Sequence, residues 1–551
     1  MSVRLKLFVM MFLEFFIWGA WLPLIFGYLP SLGFTAGEQS LILNAFPFAA
    51  IVAMFFSNQY ADRKFAAEQF LAVSHLIGGI AILLLAWVEK GWTLKFLTIE
   101  LNGHPLTINL SFWAFFLLML IHCLVYVPTI SITNSIAFAS MKDAQEEFGI
   151  VRMGGTIGWI AAAWPPVFLL VDWEKVKASE ATDFIGTLGA IFGSPLTGEA
   201  MQRATSMTYI VAGAASLLLA FFSVTLPHTP PKPAAPGEGS LAWLKSMKLL
   251  AHPFVMVLWL VTLADSFVHN CYFNWTGRFL PAVGIPENWI TPVMSIGQIA
   301  EILTMAMLGL CLKKLGWRTT MIFGILGHAA RFGVFAFCGT EEFKWLIVVV
   351  QVLHGICYAF FFATVYIFVD EYFPKDIRSS AQGLFNLMIL GLGALLAGFV
   401  CPPLFDQYTE MTIKTDVNGA SIGLQGQTSN EVQLLSLKRP PRDGTVKLSF
   451  KGESTPSISV DATPDKIQSA LEALKAVKSG NVKVTGGPLA KEPVRVEFIG
   501  ELAGKDVGQI GDQVDFRGLF LIPCFSAIAA AVALALFFHP PKINSGNSPI
   551  A

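Results

Sequence analysis

The chain alternates between long apolar runs and short polar connections. A helix of roughly 20 apolar residues crosses a bilayer core about 30 Å thick, and twelve such runs can be read along the sequence. They cover residues 7–29, 39–59, 68–88, 111–137, 150–171, 205–226, 253–277, 290–312, 319–338, 344–370, 380–404 and 518–539. We therefore predict an all-α polytopic membrane protein with twelve spans. The first run continues past Trp21 without a small-residue cleavage site, so it is predicted to be a span and not a cleaved signal peptide.

The composition agrees with this pattern. Hydrophobic residues make up 54% of the 551 residues and charged residues only 14%, whereas about 25% of an ordinary soluble domain is charged. One soluble domain cannot hide that much apolar surface, and the same composition excludes disorder for most of the chain. The net charge of −1 gives no case for nucleic-acid binding. The expected surroundings are a lipid bilayer.

Lysine and arginine are unevenly divided between the two sides of the predicted spans. The larger set lies near the two ends of the chain and in alternate connections: Arg4, Lys6, Arg63, Lys64, Lys142, Lys232, Lys245, Lys248, Lys313, Lys314, Arg318, Lys375, Arg378 and Lys542. The opposite short connections hold half as many: Lys90, Lys95, Lys175, Lys177, Arg203, Arg278 and Lys344. Positive residues concentrate on the cytoplasmic side. We therefore expect both termini in the cytoplasm and the protein in the cytoplasmic (inner) membrane.

The longest cytoplasmic connection divides the spans into six and six. This linker, residues 227–252, contains a Pro-rich stretch from His228 to Gly237. It separates an N-terminal half (1–226) from helices 7 to 11 of a C-terminal half (253–405), and residues 517–551 hold helix 12 and a cytoplasmic tail. The basic turn Arg63-Lys64 after span 2 has a counterpart at 313–318 after span 8. Matching halves are typical of pseudo-symmetric transporters, although ordinary positive-inside bias also explains the turns.

Residues 406–516 have a different composition. About 25% of them are charged, against 11% in the rest of the chain. Residues 445–450 alternate as a strand does, Thr463 and Pro464 begin a predicted helix that reaches Leu474, and 482–485 and 494–499 are further predicted strands. This segment follows the eleventh span. We therefore predict a small α+β insert on the extracytoplasmic side, between helices 11 and 12.

Ionisable side chains within apolar spans are costly and usually face a cavity or a partner. Those predicted at membrane depth are Glu14, His75, His122, Arg152, Asp265, His269, Glu301, His328, Arg331 and His354. Gln298 and Glu301 are three residues apart and share one face of span 8. Arg152 and Thr156, four apart, share a face of span 5. Purely structural roles also stay open for these residues. They are a structural ion pair for Glu301, an extension to the cytoplasmic surface for Arg152, and helix–helix hydrogen bonds for the histidines.

The sequence contains no pattern typical of an enzyme. It lacks a nucleophile elbow, a P-loop and a zinc-protease motif. The seven cysteines lie in apolar segments without the spacing of metal ligands. We predict no catalytic residues, no cofactor and no metal. Aromatic residues crowd spans 1 and 10, and a flat ligand stacks on such faces, although most of these rings must pack or face lipid.

Several segments, in order along the chain, resemble the nucleoside–proton symporters of the major facilitator superfamily, the bacterial nucleoside permease group. The segments are 12–21 (FLEFFIWGAW), 126–129 (YVPT), 152–158 (RMGGTIG), 225–228 (TLPH), 294–301 (MSIGQIAE), 331–332 (RF) and 377–383 (IRSSAQG). The resemblance covers the twelve spans and excludes the insert. It implies the twelve-helix major facilitator fold, in two pseudo-symmetric halves of six, with a nucleoside site between them.

The resemblance also implies which residues line that site. They are Arg152, Thr156 and Trp159 on span 5, Asn270 and Asn274 on span 7, Gln298 and Glu301 on span 8, and Tyr358 on span 10. On span 7 the family's second polar position falls on Phe273, with Asn274 adjacent. The family's span-10 aspartate is replaced by Ala359. Glu301 is then the expected proton carrier.

We therefore expect a secondary active transporter that takes up nucleosides with protons by alternating access. Protonation of Glu301 would remove a buried charge and allow the loaded carrier to reorient. Two alternatives stay open. One is a major facilitator transporter for another small solute such as a sugar, because Ala359 stands where the family has an aspartate. The other is a membrane-anchored sensor or adhesion protein that uses the outer insert.

Overall fold

The computed structural model describes residues 2–53, 65–91, 93–101, 104–141, 144–179, 181–231, 247–373, 378–415, 430–441, 443–450, 453–504, 507, 510–511 and 513–540. The predicted basic turn Arg63-Lys64 and residues 232–246 of the predicted linker lie outside the described residues. Long helices dominate the described part.

The N-terminal half is built from ten helices and one antiparallel hairpin in its described part. They are α1 (Val3–Ser31), α2 (Ala36–Leu43), α3 (Ala45–Val52), α4 (Ala67–Leu84), β1 (Thr93–Leu101), β2 (His104–Asn109), α5 (Leu110–Ser140), α6 (Ala144–Ala162), α7 (Pro165–Leu169), α8 (Trp173–Ala178), α9 (Phe184–Gly193) and α10 (Gly198–Ser223). The predicted span 150–171 is wrong as one helix, because α6 ends at Ala162. Pro165 and Pro166 follow, and prolines cannot donate the hydrogen bonds that would continue a helix.

The C-terminal half begins with seven helices and two π-helical segments. They are α11 (Pro253–Ala282), α12 (Ile290–Phe337), α13 (Lys344–Val349), α14 (Val352–Cys357), the π segment Tyr358–Ala363, α15 (Thr364–Tyr372), α16 (Arg378–Asn386), the π segment Leu387–Leu392 and α17 (Gly393–Tyr408). The backbone of α12 breaks at Gly316, where φ is +74°, a value that glycine adopts at little cost. The break lies inside the turn predicted at 313–318 and separates two apolar segments, 290–315 and 317–337.

The insert that follows α17 is an α+β unit. Its strands are β3 (Thr409–Thr415), β4 (Val432–Leu437), β5 (Thr445–Val446), β6 (Ser449–Phe450), β7 (Glu453–Ser454), β8 (Ile458–Ser459), β9 (Val482–Gly486), β10 (Val494–Phe498) and β11 (Gln513–Val514), and its helix is α18 (Pro464–Glu472). Five strands form an antiparallel sheet in the order β11–β3–β4–β10–β9. The predicted strand 445–450 is wrong as one element, because β5 pairs with β8 while β6 pairs with β7.

The two ends of the insert meet where it joins the helical part. Thr409 at the start of β3 pairs with Val514 at the end of β11, and the Asp515 amide donates to the Tyr408 carbonyl at 2.9 Å. The last helix, α19 (Phe516–Phe537), begins there, and the Asp515 carboxylate accepts a hydrogen bond from the Gly518 amide as its N-cap. The insert therefore enters and leaves the helical part at one point.

Buried apolar side chains form three separate clusters. One cluster draws on helices before residue 227, a second mainly on residues 249–538 of the C-terminal half, and a third on the insert. Nine helical segments of the described residues are long and apolar enough to cross a bilayer. One of the nine includes the whole of α12, with both of its segments. The protein is a multi-pass membrane protein, and the count of twelve stays a prediction.

Candidate functional site

A cavity of about 290 Å³ lies between the two halves. Its volume is close to the lower end of the range for small-molecule sites, about 300–1,000 Å³. Its walls come from α1, α2, α3, α5 and α6 on one side and from α11, α12, α14, α15, α17 and the two π segments on the other. The residues predicted for the site all line it: Arg152, Thr156, Trp159, Asn270, Asn274, Gln298, Glu301 and Tyr358. Their part in binding stays a prediction.

Arg152 is positioned by glycines on α6. A Cβ atom at Gly154 would lie 2.6 Å from the Phe8 carbonyl oxygen, and one at Gly155 would lie 2.6 Å from the Arg152 guanidinium. Glycine at both positions therefore allows α6 to pack directly on α1. It also allows Arg152 to fold back over its own helix, where the guanidinium stacks on the Phe15 ring at 4.2 Å. The cation is held at the cavity wall and does not simply extend along the helix.

Aromatic rings form the N-terminal wall. Trp18 stacks on Phe46, with ring centroids 4.7 Å apart and planes at 14°, and meets Trp159 edge-on at 5.2 Å. The indole nitrogens of Trp18 and Trp21 are buried and donate to no acceptor among the described residues. A flat guest would find a stacking surface on this side.

The α11 wall contains both residues that the sequence offered for the family's second polar position. Asn270, Phe273 and Asn274 all line the cavity, and the choice between Phe273 and Asn274 stays a prediction. The side-chain amides of Asn270 and Asn274 donate to the carbonyls of Ser266 and Asn270, at 2.8 and 2.9 Å. Their NH₂ groups are thus engaged with the helix backbone, which leaves the amide oxygens to accept hydrogen bonds from a guest.

Gln298 and Glu301 face the cavity from the first segment of α12. The Gln298 side-chain oxygen is buried and has no hydrogen-bond partner in the described part of the chain. Glu301 sits where α12 and α14 touch: a Cβ atom at Gly355 would lie 2.2 Å from the Glu301 amide nitrogen. Arg152 and Glu301, both described, form no direct ion pair, so each is available to the cavity.

Two further ionisable residues line the cavity besides those predicted for the site. His269 and His354 line the wall, with their rings stacked at 4.8 Å. Each was recognised as an ionisable residue at membrane depth, and His269 directly precedes Asn270. That adjacency was the available signal, but it does not show which histidines face the cavity, because this depends on how α11 and α14 pack.

The family profile described as "Nucleoside H+ symporter" matches residues 1–103, 106–194 and 183–419, which is well over half of the chain. The chain belongs to this family. It is therefore a membrane transporter that couples nucleoside uptake to protons, as the sequence predicted.

Relatives of this symporter include transporters of Escherichia coli (strain K12). The putative nucleoside transporter YegT is 30% identical over 405 residues, which cover 72% of this chain and 83% of YegT. The xanthosine permease is 24% identical over 434 residues, with 75% and 90% coverage. The crystal structure of the nucleoside transporter NupG, at 24% identity, superposes with a TM-score of 0.59 over 74% of this chain and 92% of NupG. At that identity the superposition shows that the symporter shares this fold.

The symporter's Ala359 lies in the π segment of the tenth predicted span. It is fully buried, whereas its neighbours Tyr358 and Phe362 line the cavity. A π segment adds a residue to a helical turn and often marks functional sites. Among the described cavity-lining residues, Glu301 is the one carboxylate.

Proposed function

We propose that the cavity between the halves is the nucleoside site of this symporter. The observation that supports it is that residues predicted from separate segments of both halves line one cavity. A site between two halves suits alternating access, in which the halves rock about a fixed site.

The polar atoms in the cavity match the chemistry of a nucleoside. The oxygens of Gln298, Asn270 and Asn274 accept hydrogen bonds from ribose hydroxyls or base N–H groups. The Trp18 and Trp21 N–H groups donate to carbonyl or ring-nitrogen acceptors. The Trp159 and Tyr358 rings bound the space in which the base stacks.

Glu301 carries the coupled proton in this proposal. It lies on the cavity wall without a direct cation partner, and its ionised form must pay for desolvation. Protonation makes the wall neutral and permits the loaded carrier to reorient. The Arg152 guanidinium, on the opposite wall, offsets the carboxylate when the proton has left.

The proposed architecture has twelve spans with both termini in the cytoplasm of a bacterial cell and residues 406–516 outside the inner membrane. The proposed divisions are 1–226, 227–252, 253–405, 406–516 and 517–551. The separate apolar clusters of the two halves and of the insert support these divisions. The single junction between insert and helices, at Thr409 and Val514, supports an independent outer unit.

The substrate assignment is tested by uptake of radiolabelled uridine into proteoliposomes that contain the purified protein. Gln298→Ala removes one hydrogen bond, worth about 0.5–1.5 kcal/mol, and should raise the KM for uridine roughly 2- to 13-fold. Thr304→Ala, on the same helix, is the matched control, because the Thr304 hydroxyl bonds the Ala300 carbonyl and does not line the cavity. Uptake competed by excess glucose but not by unlabelled nucleosides would favour a sugar transporter instead.

The topology is tested by labelling single cysteines with an impermeant maleimide in right-side-out spheroplasts. Ser479→Cys, exposed in the insert, should react, whereas Lys314→Cys, exposed beside the break in α12, should react only after permeabilisation. If Lys314→Cys reacts in intact spheroplasts and Ser479→Cys does not, the orientation is the opposite of the one proposed.

A further inference from the structure

A cluster of ionisable side chains lies next to the cavity, inside the C-terminal half. It contains Asp265 and His269 on α11, His328 and Arg331 on the second segment of α12, and His354 on α14. Asp265, His328 and Arg331 are 0% exposed, and His354 is 2% exposed. Among the described residues no group of His, Cys and acidic side chains has the arrangement of a metal site. The cluster therefore needs an explanation other than metal binding.

Arg331 fixes the protonation of two histidines. Its Nη1 lies 2.7 Å from His354 Nδ1 and its Nη2 lies 3.0 Å from His328 Nδ1. A guanidinium has only donors, so both Nδ1 atoms must accept, and each imidazole is neutral with its proton on Nε2. The guanidinium also lies over the Tyr272 ring at 4.1 Å. The buried cation is thus held by imidazoles and an aromatic face and not by direct contact with a carboxylate.

Asp265 is the nearest carboxyl group, and its hydrogen bonding is incomplete. Its Oδ2 lies 3.7 Å from His328 Nε2, a separation longer than a hydrogen bond. Within the described part of the chain, neither Asp265 oxygen nor His328 Nε2 has a hydrogen-bond partner. A fully buried carboxylate without hydrogen bonds is costly, and binding a proton removes the cost.

Among the described residues, Glu14 is a second fully buried carboxylate beside a histidine, and it provides a contrast. One carboxylate oxygen of Glu14 accepts a hydrogen bond from His75 Nε2 at 2.9 Å, and the other accepts one from the Thr129 hydroxyl at 2.8 Å. His75 Nδ1 is itself bonded to the Ser216 hydroxyl at 3.0 Å. Glu14 is therefore satisfied as an ion within a structural network that joins helices of the N-terminal half, whereas Asp265 is not.

The cluster is connected to the cavity through histidines. His354, which accepts from Arg331, and His269, stacked on it, both line the cavity. The groups run in the order cavity, His354, Arg331, His328 and Asp265. The titratable groups around Asp265 are His269 and Tyr272 on its own helix, His328 and Arg331 on α12, and His354 and Cys357 on α14.

We propose that Asp265 and His328 form a second proton-binding site, separate from Glu301, whose proton is transported with the nucleoside. The proton binds an Asp265 oxygen in the loaded carrier, which leaves Arg331 as the only charge of the cluster. When the proton is released, the Asp265 carboxylate accepts a hydrogen bond from His328 Nε2–H. Its negative charge then offsets the positive charge of Arg331, which is hydrogen-bonded to the other nitrogen of His328. This inference rests on the proposed nucleoside site, and it predicts two protons for each nucleoside.

The number of protons is measurable from steady-state accumulation. Proteoliposomes are clamped at zero potential with potassium and valinomycin and given an inward pH gradient of one unit. Each coupled proton then supports about a tenfold concentration ratio, so the wild-type protein should hold uridine at roughly a hundredfold ratio. Asp265→Asn should lower this ratio about tenfold while uridine counterflow exchange, which needs no net proton movement, continues. His328→Gln should do the same, because a glutamine oxygen that still accepts from Arg331 leaves the amide unable to place an N–H donor on the ionised Asp265 as His328 Nε2 does.

Glu14→Gln is the matched control, equally buried beside a histidine but fully hydrogen-bonded, and should keep the wild-type ratio. The proposal is overturned if Asp265→Asn keeps the wild-type ratio or if Glu14→Gln lowers it by the same factor. It is also overturned if Asp265→Asn and His328→Gln both abolish counterflow, since the cluster would then be structural. Failure of the wild-type protein to transport uridine would instead refute the nucleoside site itself.

Discussion

The close contact between α1 and α6 determines the shape of the N-terminal cavity wall, and Gly158→Ala tests it. A Cβ atom at residue 158 would lie 2.1 Å from the Phe12 carbonyl oxygen and 2.8 Å from its carbonyl carbon. Ordinary contact begins at 3.4 Å, so α6 and α1 must separate by about 1.3 Å there. The obstructing atoms belong to the backbone and cannot rotate away as a side-chain end would.

The cost follows from this overlap. Overpacking of a well-packed contact costs about 1–3 kcal/mol, which should lower the thermal stability of the purified protein. Trp159 follows Gly158 directly and meets Trp18 of α1 edge-on at 5.2 Å. Such an aromatic pair contributes about 0.5–1.5 kcal/mol beyond its buried area. The displaced Trp159 ring should also stack less well on a bound base, and loss of an aromatic contact of that magnitude weakens uridine binding by roughly 2- to 13-fold.

The assay combines thermal unfolding of the detergent-purified protein with equilibrium binding of radiolabelled uridine. Gly27→Ala is the control on α1, since no atom lies within 4 Å of a Cβ atom at that position. Gly27→Ala should retain the wild-type unfolding temperature and affinity. If Gly158→Ala matches Gly27→Ala in both measurements, α1 and α6 do not pack as closely at Gly158 as described.

Three further results are expected. Glu301→Gln keeps hydrogen-bonding capacity but cannot ionise, so accumulation driven by a pH gradient should fall about tenfold per unit of gradient, with some counterflow exchange remaining; unchanged accumulation would exclude Glu301 as a coupling residue. Trp159→Leu should raise the Kd for uridine about 2- to 13-fold through loss of the aromatic surface, and Trp159→Phe should restore most of the affinity. Deletion of 410–513 with a short glycine linker should preserve uridine uptake, because Thr409 and Val514 are already paired; normal expression without transport would show that the insert is needed.

The sequence by itself determined the membrane character, the family and most of the long helices. Each span has to be apolar along its own length because lipid surrounds it, so the signal is local and readable without contacts. The spacing of Gln298 and Glu301 likewise places both on one helix face, and both line the cavity. The turn at Gly316 was found for a similar reason, since charged residues cluster where the chain leaves the membrane.

Tertiary structure decided what depends on several helices at once. Sequence alone could not choose between Phe273 and Asn274, and packing places both on the cavity wall. Strand β4 cannot be predicted from the sequence, because apolar and polar residues do not alternate regularly along Val432–Leu437. Its strand conformation is set by its pairing with β3 and β10. Asp265, Arg331 and His354 were each visible as costly residues in separate spans. Their assembly beside the cavity arises from the packing of α11, α12 and α14, because contacts between residues distant along the chain leave no periodic signal in it.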